Sequence, residues 1–295
     1  MKKSWRQAVD NLQLRHPKQS IRCLSGLFGK SREGYYSVSL ENRNQKELTE
    51  QDIINSVKDI RSQAPGIGAY KMFLILKDIY PKEMHGRDWF YKMMHTHHLM
   101  LKPERKRHTT NSNHNYHKYK NLIKEFVPTG INQLWVADIT YIDTDDGVVY
   151  LHLLTDAFTH EIIGWTLSEN LKAVNTLAAL DMGISIMSHF GFKKLIHHSD
   201  RGSQYCCNAY IERLHSIESS ISMTEDYKPT DNAIAERVNG ILKQEWLYRM
   251  KRPKDLSDAM IVIKGIIDFY NWKRPHMNNM KILPPGKFRE ILTAV

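Results

Sequence analysis

Three apolar runs rich in β-branched and aromatic residues follow one another between residues 134 and 168: WVADITYI, VVYLHLLTDAFT and EIIGWTLS. Only short turns, at 145–147 and near His160, separate them. Connections that short join antiparallel neighbours, so the stretch predicts a three-stranded meander and excludes an all-helical chain. The first run, 134–142, carries Asp138 in its middle. An ionised carboxylate in a buried strand is costly unless a cation compensates it, and a metal ion is the expected compensation. A further strand-like run, 194–199, ends at Asp200 in the setting HHSDRGSQY, and Glu236 opens a helical stretch in DNAIAERVNGILK. Three acids from distant sequence are thereby placed to converge at one end of a sheet. Hard oxygen donors of this kind suit Mg²⁺ or Mn²⁺.

The settings of these acids resemble the DDE catalytic core of bacterial insertion-sequence transposases of the retroviral-integrase type, in particular the second-frame protein called OrfB. The likeness rests on strand-borne Asp138, on HSDRGSQY with Asp200, on SMTEDYKPTDNAIAERVNGILK with Glu236 and on YNWKRPH near the end. With the basic region upstream it extends over nearly the whole chain. The resemblance implies a ribonuclease-H-like mixed sheet with flanking helices, preceded by an all-α helix-turn-helix region. It implies metal-dependent DNA cleavage and strand transfer at insertion-sequence ends, with Asp138 bridging two ions, Asp200 holding one and Glu236 the other. Water attacks first in such a scheme and a liberated DNA 3′-hydroxyl second. A lysine at the place of Lys243 is expected at the DNA end. The implied partners are terminal inverted repeats, target DNA and further copies of the chain, with a first-frame helix-turn-helix and coiled-coil protein as partner or frameshift fusion.

Charge is divided unevenly along the 295 residues. The net +10 arises from 24 Lys and Arg against 12 Asp and Glu before residue 134, and 18 against 20 from there on. Phosphate neutralisation by Lys and Arg supplies most non-specific DNA affinity, so the first half is expected to grip DNA. Charge alone leaves a merely soluble basic surface equally open, and the carboxylate core decides for nucleic acid. No apolar run approaches the roughly 20 residues of a membrane span, and MKKSWRQAVD lacks the apolar stretch of a signal peptide. A cytoplasmic, nucleoid-associated protein without a membrane role is expected. Cys23, Cys206 and Cys207 make neither a disulfide framework nor a zinc-finger spacing.

Four segments follow from the pattern. In 1–45, a helical segment, Ile21, Leu24, Leu27 and Phe28 keep helical spacing until Gly29, and KSREGYY follows as a second short helix or turn. In 46–100, a helix-turn-helix DNA-binding domain, Thr49 is expected to cap a helix lined by Ile53, Ile54, Val57 and Ile60. PGIG ends that helix, YKMFLILKDIY follows, and 87–99 is the helix expected against DNA, with Arg87 and Lys92 as its phosphate contacts. His95, His97 and His98 cluster there, but with only Cys23 in that half they cannot complete a tetrahedral zinc site, and DNA-facing or solvated histidines are expected. Residues 101–128 form a basic linker with Tyr116 and Tyr119 interleaved, lying on phosphate or simply solvated. Residues 129–295 form the catalytic core with C-terminal helices: a helix at 174–189, the strand KLIHHS, the helix SQYCCNAYIERLHSI, the strand ISMTE and helices at 231–250 and 256–272. Periodicity alone gives only α/β for this part.

Other polar residues compete for a role. Asp156 interrupts a strand and is expected to be structural or on the substrate side. Glu245, nine residues after Glu236, is expected to face elsewhere on an α-helix and to be solvated or paired locally, whereas Lys243 sits two turns up the same face. Arg201 is placed to reach phosphate. His198 is either a substrate-side group or a satisfied strand-end histidine. Asp231 and Asn232 are expected to cap the helix that carries Glu236. YNWKRPH and LPPG are assigned to folding and docking. Two other functions remain open from sequence: a non-catalytic DNA-binding protein derived from a transposase, and a ribonuclease-H-like nuclease.

Overall fold

A computed structural model describes residues 5–37, 40–101, 117–192, 194–225, 232–279 and 282–294. The chain divides into two compact units, one of 1–60 with 72–101 and the other of 61–71 with 102–295. Residues 61–71, counted by sequence with the helix-turn-helix segment, thus pack with the second unit.

The first unit is helical. It begins with α1 (Trp5–Arg15), α2 (Ile21–Gly26) and α3 (Arg32–Tyr36). Ser20 and Ser31 cap the two short helices by accepting from the Cys23 and Gly34 N–H groups. Val9, Leu24 and Tyr35 form their small core. The spacing of Ile21 to Phe28 overstated α2, which stops at Gly26 and leaves Leu27 70% exposed. Helix α4 (Leu40–Gln63) starts well before Thr49, so that threonine is interior and does not cap. The polar stretch between Leu40 and Thr49 is rich in Glu, Gln and Lys, good helix formers that carry the helix upstream without an apolar stripe. Ile53, Ile54 and Val57 of α4 are buried, as are Met72, Phe73 and Leu76 of α5 (Ala69–Ile79) and Phe90, Met93 and Met94 of α6 (Arg87–Thr96). His97 bonds Glu50 at 3.2 Å, while His95 and His98 are exposed.

In the second unit the three runs form β1 (Leu134–Thr144), β2 (Gly147–Asp156) and β3 (Ile162–Ser168), paired antiparallel as expected. β4 (Ile196–Ser199) and β5 (Ser220–Met223) join in parallel on the other side of β1, giving the order β3-β2-β1-β4-β5. Parallel strands need crossover connections, which here carry α7 (Ala173–Met187) and the pair α8 (Ser203–Cys206) and α9 (Asn208–His215). The single helix expected over SQYCCNAYIERLHSI is split by extended backbone at Cys207. Trp135 and Ala137 face a core of Leu180, Ile184, Tyr205 and Tyr210, while Leu134 and Val136 pack with Ala235 of α10 (Ala233–Leu242). This period-two alternation with both faces covered explains why β1 reads as an unbroken apolar run. The result is the ribonuclease-H-like arrangement. At Gly164 strand β3 lies so near α7 that a Cβ would stand 2.0 Å from the Ala179 carbonyl oxygen.

The C-terminal part consists of α11 (Leu256–Trp272) and α12 (Pro285–Thr293). Asn271 completes the edge of β3: its Oδ1 accepts from the Ile162 N–H at 3.0 Å and its Nδ2 donates to the Ile162 carbonyl at 2.9 Å. A side chain that mimics a neighbouring strand covers an edge that would otherwise be open to pairing. Tyr270 donates to the His160 carbonyl, and His276 stacks on His160 at 4.4 Å. YNWKRPH therefore docks the last helices, as its sequence position suggested.

The expected helix 231–250 ends at Leu242 and continues as a π-helical turn, Lys243–Leu247. The wider turn breaks the projection used for Glu245. That residue is largely enclosed, not solvated, and its partners are distant in sequence. Arg274 donates to both its oxygens at 2.8 Å and Lys71 to Oε1 at 2.7 Å. Around it, the Gly66 N–H donates to the Glu245 carbonyl at 2.7 Å and Trp246 Nε1 to the Gln63 carbonyl at 2.8 Å. A Cβ on Gly66 would stand 2.5 Å from the Glu245 Cα, so this approach requires glycine.

Candidate active site

Strand pairing brings two of the three acids to one level. Leu134 lies opposite Ile196 in the parallel β1–β4 register, an offset of 62 residues, which is also the separation of Asp138 from Asp200. Asp200 stands one residue beyond the end of β4, so the register carried forward sets it beside Asp138. Glu236 sits exposed in the first turn of α10, where unpaired backbone N–H groups favour a carboxylate. Helix α10 is fixed to β1 by apolar contact and by two amides. Asn232 Nδ2 donates to the Ala137 carbonyl at 3.1 Å, and Asn239 Nδ2 donates to Asp138 Oδ2 at 2.6 Å.

The electrostatics record the convergence. The Asp138 carboxyl is raised to about 7, by burial first and then by the charge of Asp200, with Glu236 adding to it. The Ile139 N–H, at 2.9 Å from Oδ1, and Asn239 oppose that rise. Asp200 Oδ1 accepts from the Gly202 N–H at 2.9 Å, and a Cβ on Gly202 would lie 2.9 Å from the same oxygen. The glycine of HSDRGSQY is thus set by the turn that holds this carboxylate. Tyr205, 2% exposed, has its phenol pushed far up by burial, then by Asp200 and Asp138.

No three His, Cys, Asp or Glu side chains among the described residues form a ready-made metal cage. The donor chemistry nevertheless fits a hard divalent cation. Mutually repelling oxygens, one of them held in the interior, are relieved by positive charge placed between them.

The other expected residues distribute as follows. Lys243 Nζ lies 4.2 Å over the ring of Tyr141. Burial lowers its pKa, while Tyr141, Asp138 and Asp143 act in the other direction, which puts the amine in the field of the acidic site. Arg201 is half-buried and, after the dominant hydrogen bonds from Lys124 and Asn121, helps hold the Glu225 carboxyl below its usual range. Arg87 and Lys92 are exposed on α6 in the first unit, Arg87 beside Asp88 at 3.5 Å. His198 is fully buried and bonds Ser222 at 2.8 Å across β4 and β5, which favours the strand-end reading. Asp156 is structural: Oδ1 accepts from the Thr159 N–H and hydroxyl, and Oδ2 from the Asn132 N–H. It aligns with Trp135, three residues from Asp138 or about 10 Å along the strand. Asn232 does not cap α10 with its side chain: its Nδ2 donates to β1, and its Oδ1 accepts no hydrogen bond from the first turn of the helix. Asp231 lies outside the described residues.

Sequence reasoning missed Asn239, Gly202 and Tyr141. Asn239 carried a usable signal, since it follows Glu236 by three and shares its helix face. For Tyr141 nothing in the sequence announced the contact with Lys243.

Two family models, each described as an integrase core domain, match residues 128–229 and 218–284. An uncharacterized 31 kDa protein of insertion element IS600 from Shigella sonnei is 37% identical over 272 residues, covering 90% of this chain and 96% of that protein. The transposase InsF for insertion sequence IS3A of Escherichia coli is 33% identical over 154 residues, 52% of this chain and about half, 53%, of that protein. Among solved structures, the HTLV-2 integrase catalytic core domain in complex with magnesium aligns with a TM-score of 0.42 at 19% identity, covering 54% of this chain and 96% of that one. The near end-to-end match to the insertion-element protein, over the same residues that build the carboxylate site, places the chain in its family: it belongs to the insertion-sequence transposases with an integrase-like core.

Proposed function

We propose that this transposase cuts and joins insertion-sequence ends at a site formed by Asp138, Asp200 and Glu236. The observation that supports it is the meeting of three carboxylates from β1, the end of β4 and the first turn of α10. Mg²⁺ or Mn²⁺, taken as two ions held by these acids, would stabilise the attacking and leaving oxygens of a phosphodiester in line. Asn239 and the Ile139 N–H orient Asp138, and the Gly202 turn orients Asp200. Cleavage leaves a 3′-hydroxyl, and joining uses that hydroxyl on a second phosphodiester, so no side-chain nucleophile is required. Lys243 and Arg201 contact phosphates near the reacting end. Arg87 and Lys92 grip DNA from α6 through phosphate contacts that weaken with salt. The substrates are the terminal inverted repeats and target DNA, several copies act together, and a first-frame protein serves as partner or fusion. No helix among the described residues is long and apolar enough to cross a membrane.

The test is strand transfer with repeat-ended DNA and Mg²⁺ or Mn²⁺. Asp138→Asn, Asp200→Asn and Glu236→Gln, each with wild-type circular dichroism, should lose joining by at least about 100-fold, the upper cost of removing a mere outer-shell partner. DNA binding should persist in all three. Normal joining by any folded variant would remove that residue from the site.

A further inference from the structure

Lys243 differs from the ion-paired lysines, and from Lys273, whose ammonium donates to Gln63 Oε1 at 2.8 Å and stands farther, 5.7 Å, from the ring of Phe269. Lys71, Lys124 and Lys264 are neutralised by Glu245, Glu225 and Asp268. Among the described residues the Lys243 ammonium forms no ion pair; what it has is the face of Tyr141, 4.2 Å from the ring centroid. A carboxylate would occupy the donors and cancel the charge. A ring face attracts the cation through its quadrupole and does neither. Held this way, the ammonium keeps its three N–H donors for a phosphate, with no carboxylate to cancel its charge. Tyr141 is itself fixed, on β1 three residues after Asp138 and opposite Tyr150 of β2, so the support moves with the strand that carries the catalytic acid. Lys243 is the first residue of the π-helical turn, whose other end is anchored through Glu245 and Trp246.

We propose that Tyr141 is a positioning residue that presents the Lys243 ammonium to the DNA end. This rests on the reading of Lys243 as a phosphate contact, and a double-mutant cycle separates the two. Tyr141 is 38% exposed, so Tyr141→Leu leaves the core intact, and Tyr141→Phe keeps the ring. End binding and the KM and kcat of strand transfer are measured for Tyr141→Leu, Tyr141→Phe, Lys243→Ala and the double variant Tyr141→Leu with Lys243→Ala.

Tyr141→Leu should weaken end binding and raise KM roughly three- to tenfold, the worth of a half-buried cation–π contact, with kcat nearly unchanged. Tyr141→Phe should behave as wild type. The double variant should be no worse than Lys243→Ala, because the ring has nothing left to position. Lys243→Ala alone should reduce the salt dependence of end binding by about one phosphate contact. A double variant whose loss is the product of the two single losses would overturn the role of Tyr141 while leaving that of Lys243. A Tyr141→Leu protein that binds ends normally while Lys243→Ala is impaired would do the same. Wild-type binding and salt dependence in Lys243→Ala would overturn both.

Discussion

Replacing Glu245 with Gln tests whether the segment 61–71 and the C-terminal helices are held to the π-helical turn by a buried charge. Glu245 side-chain exposure is 13%, that of Arg274 is 3% and that of Lys71 is 17%. Burial alone would push the Glu245 carboxyl up, but the paired hydrogen bonds and charge of Arg274, followed by Lys71, hold it below the usual carboxylate range. The partners are not equal. Burial and the neighbouring Arg274 lower the Lys71 pKa despite its contact with Glu245, so two cations compete for one carboxylate and Arg274 has the better geometry. Removing the carboxylate charge leaves Arg274 buried and uncompensated, a situation that costs about 3 to 5 kcal/mol. For a urea slope of about 2 kcal/mol/M, the midpoint should fall by roughly 1.5 to 2.5 M. Buried Trp246, next in sequence, reports that transition by fluorescence. Arg274→Met should also be costly, because it removes both guanidinium bonds and leaves Glu245 to Lys71 alone, whereas Lys71→Met should be close to neutral because it removes the poorly satisfied cation. A midpoint shift below about 0.3 M for Glu245→Gln, or equal costs for the two cation variants, would refute the reasoning.

Moderate acid should destabilise the second unit. His152 is lowered to about 4 by burial, His197 to about 3 by burial and then His198, and His276 to about 3 by burial and then His160. The unfolded chain therefore binds more protons below about pH 6.5, and stability falls with pH from there towards the folded values, by up to about 1.4 kcal/mol per unit for each histidine. Asp138, raised to about 7, and Asp156, raised to about 6, act in the opposite direction and offset part of this loss, so thermal melting at pH 5 should lie below that at pH 7 by the remainder, and an equal or higher melting temperature at pH 5 would contradict it. Two glycines give opposite expectations. Gly164→Ala drives a methyl into the Ala179 carbonyl and should cost about 3 kcal/mol or more, while Gly240→Ala in α10, with nothing within 4 Å of the new Cβ, should gain about 0.5 to 1 kcal/mol. Urea midpoints check both, and a tolerated Gly164→Ala would mean that β3 and α7 can separate.

The meander was legible because tight turns leave adjacent strands no choice but to pair antiparallel, and because β1 is apolar on both faces. The acids were legible by their settings, Asp138 in an apolar strand above all. Asp231, the linker run before His117 and the loop before Asn232 lie outside the described residues, so their expected roles rest on sequence. Helix boundaries were less legible. Thr49 looked like a cap because its local chemistry suits one, yet good helix formers upstream carry α4 through it. Cys207 broke an expected helix with no Pro or Gly to announce it.

Sequence by itself singled out the three acids proposed for the site and the kind of element each one sits on. Residue type and local periodicity are properties of short stretches of chain. Only the tertiary structure decided which amide orients which acid, Asn239 on Asp138 rather than Asn232 as a cap, and which cation meets Glu245. Those pairings join residues from 29 to 174 apart in sequence. They depend on the parallel β1–β4 register and on one wider helical turn at Lys243. A register shift of one residue or one extra residue per turn rotates every side chain beyond it. Such offsets are set by the packing of whole elements, and a local reading of the chain does not contain them.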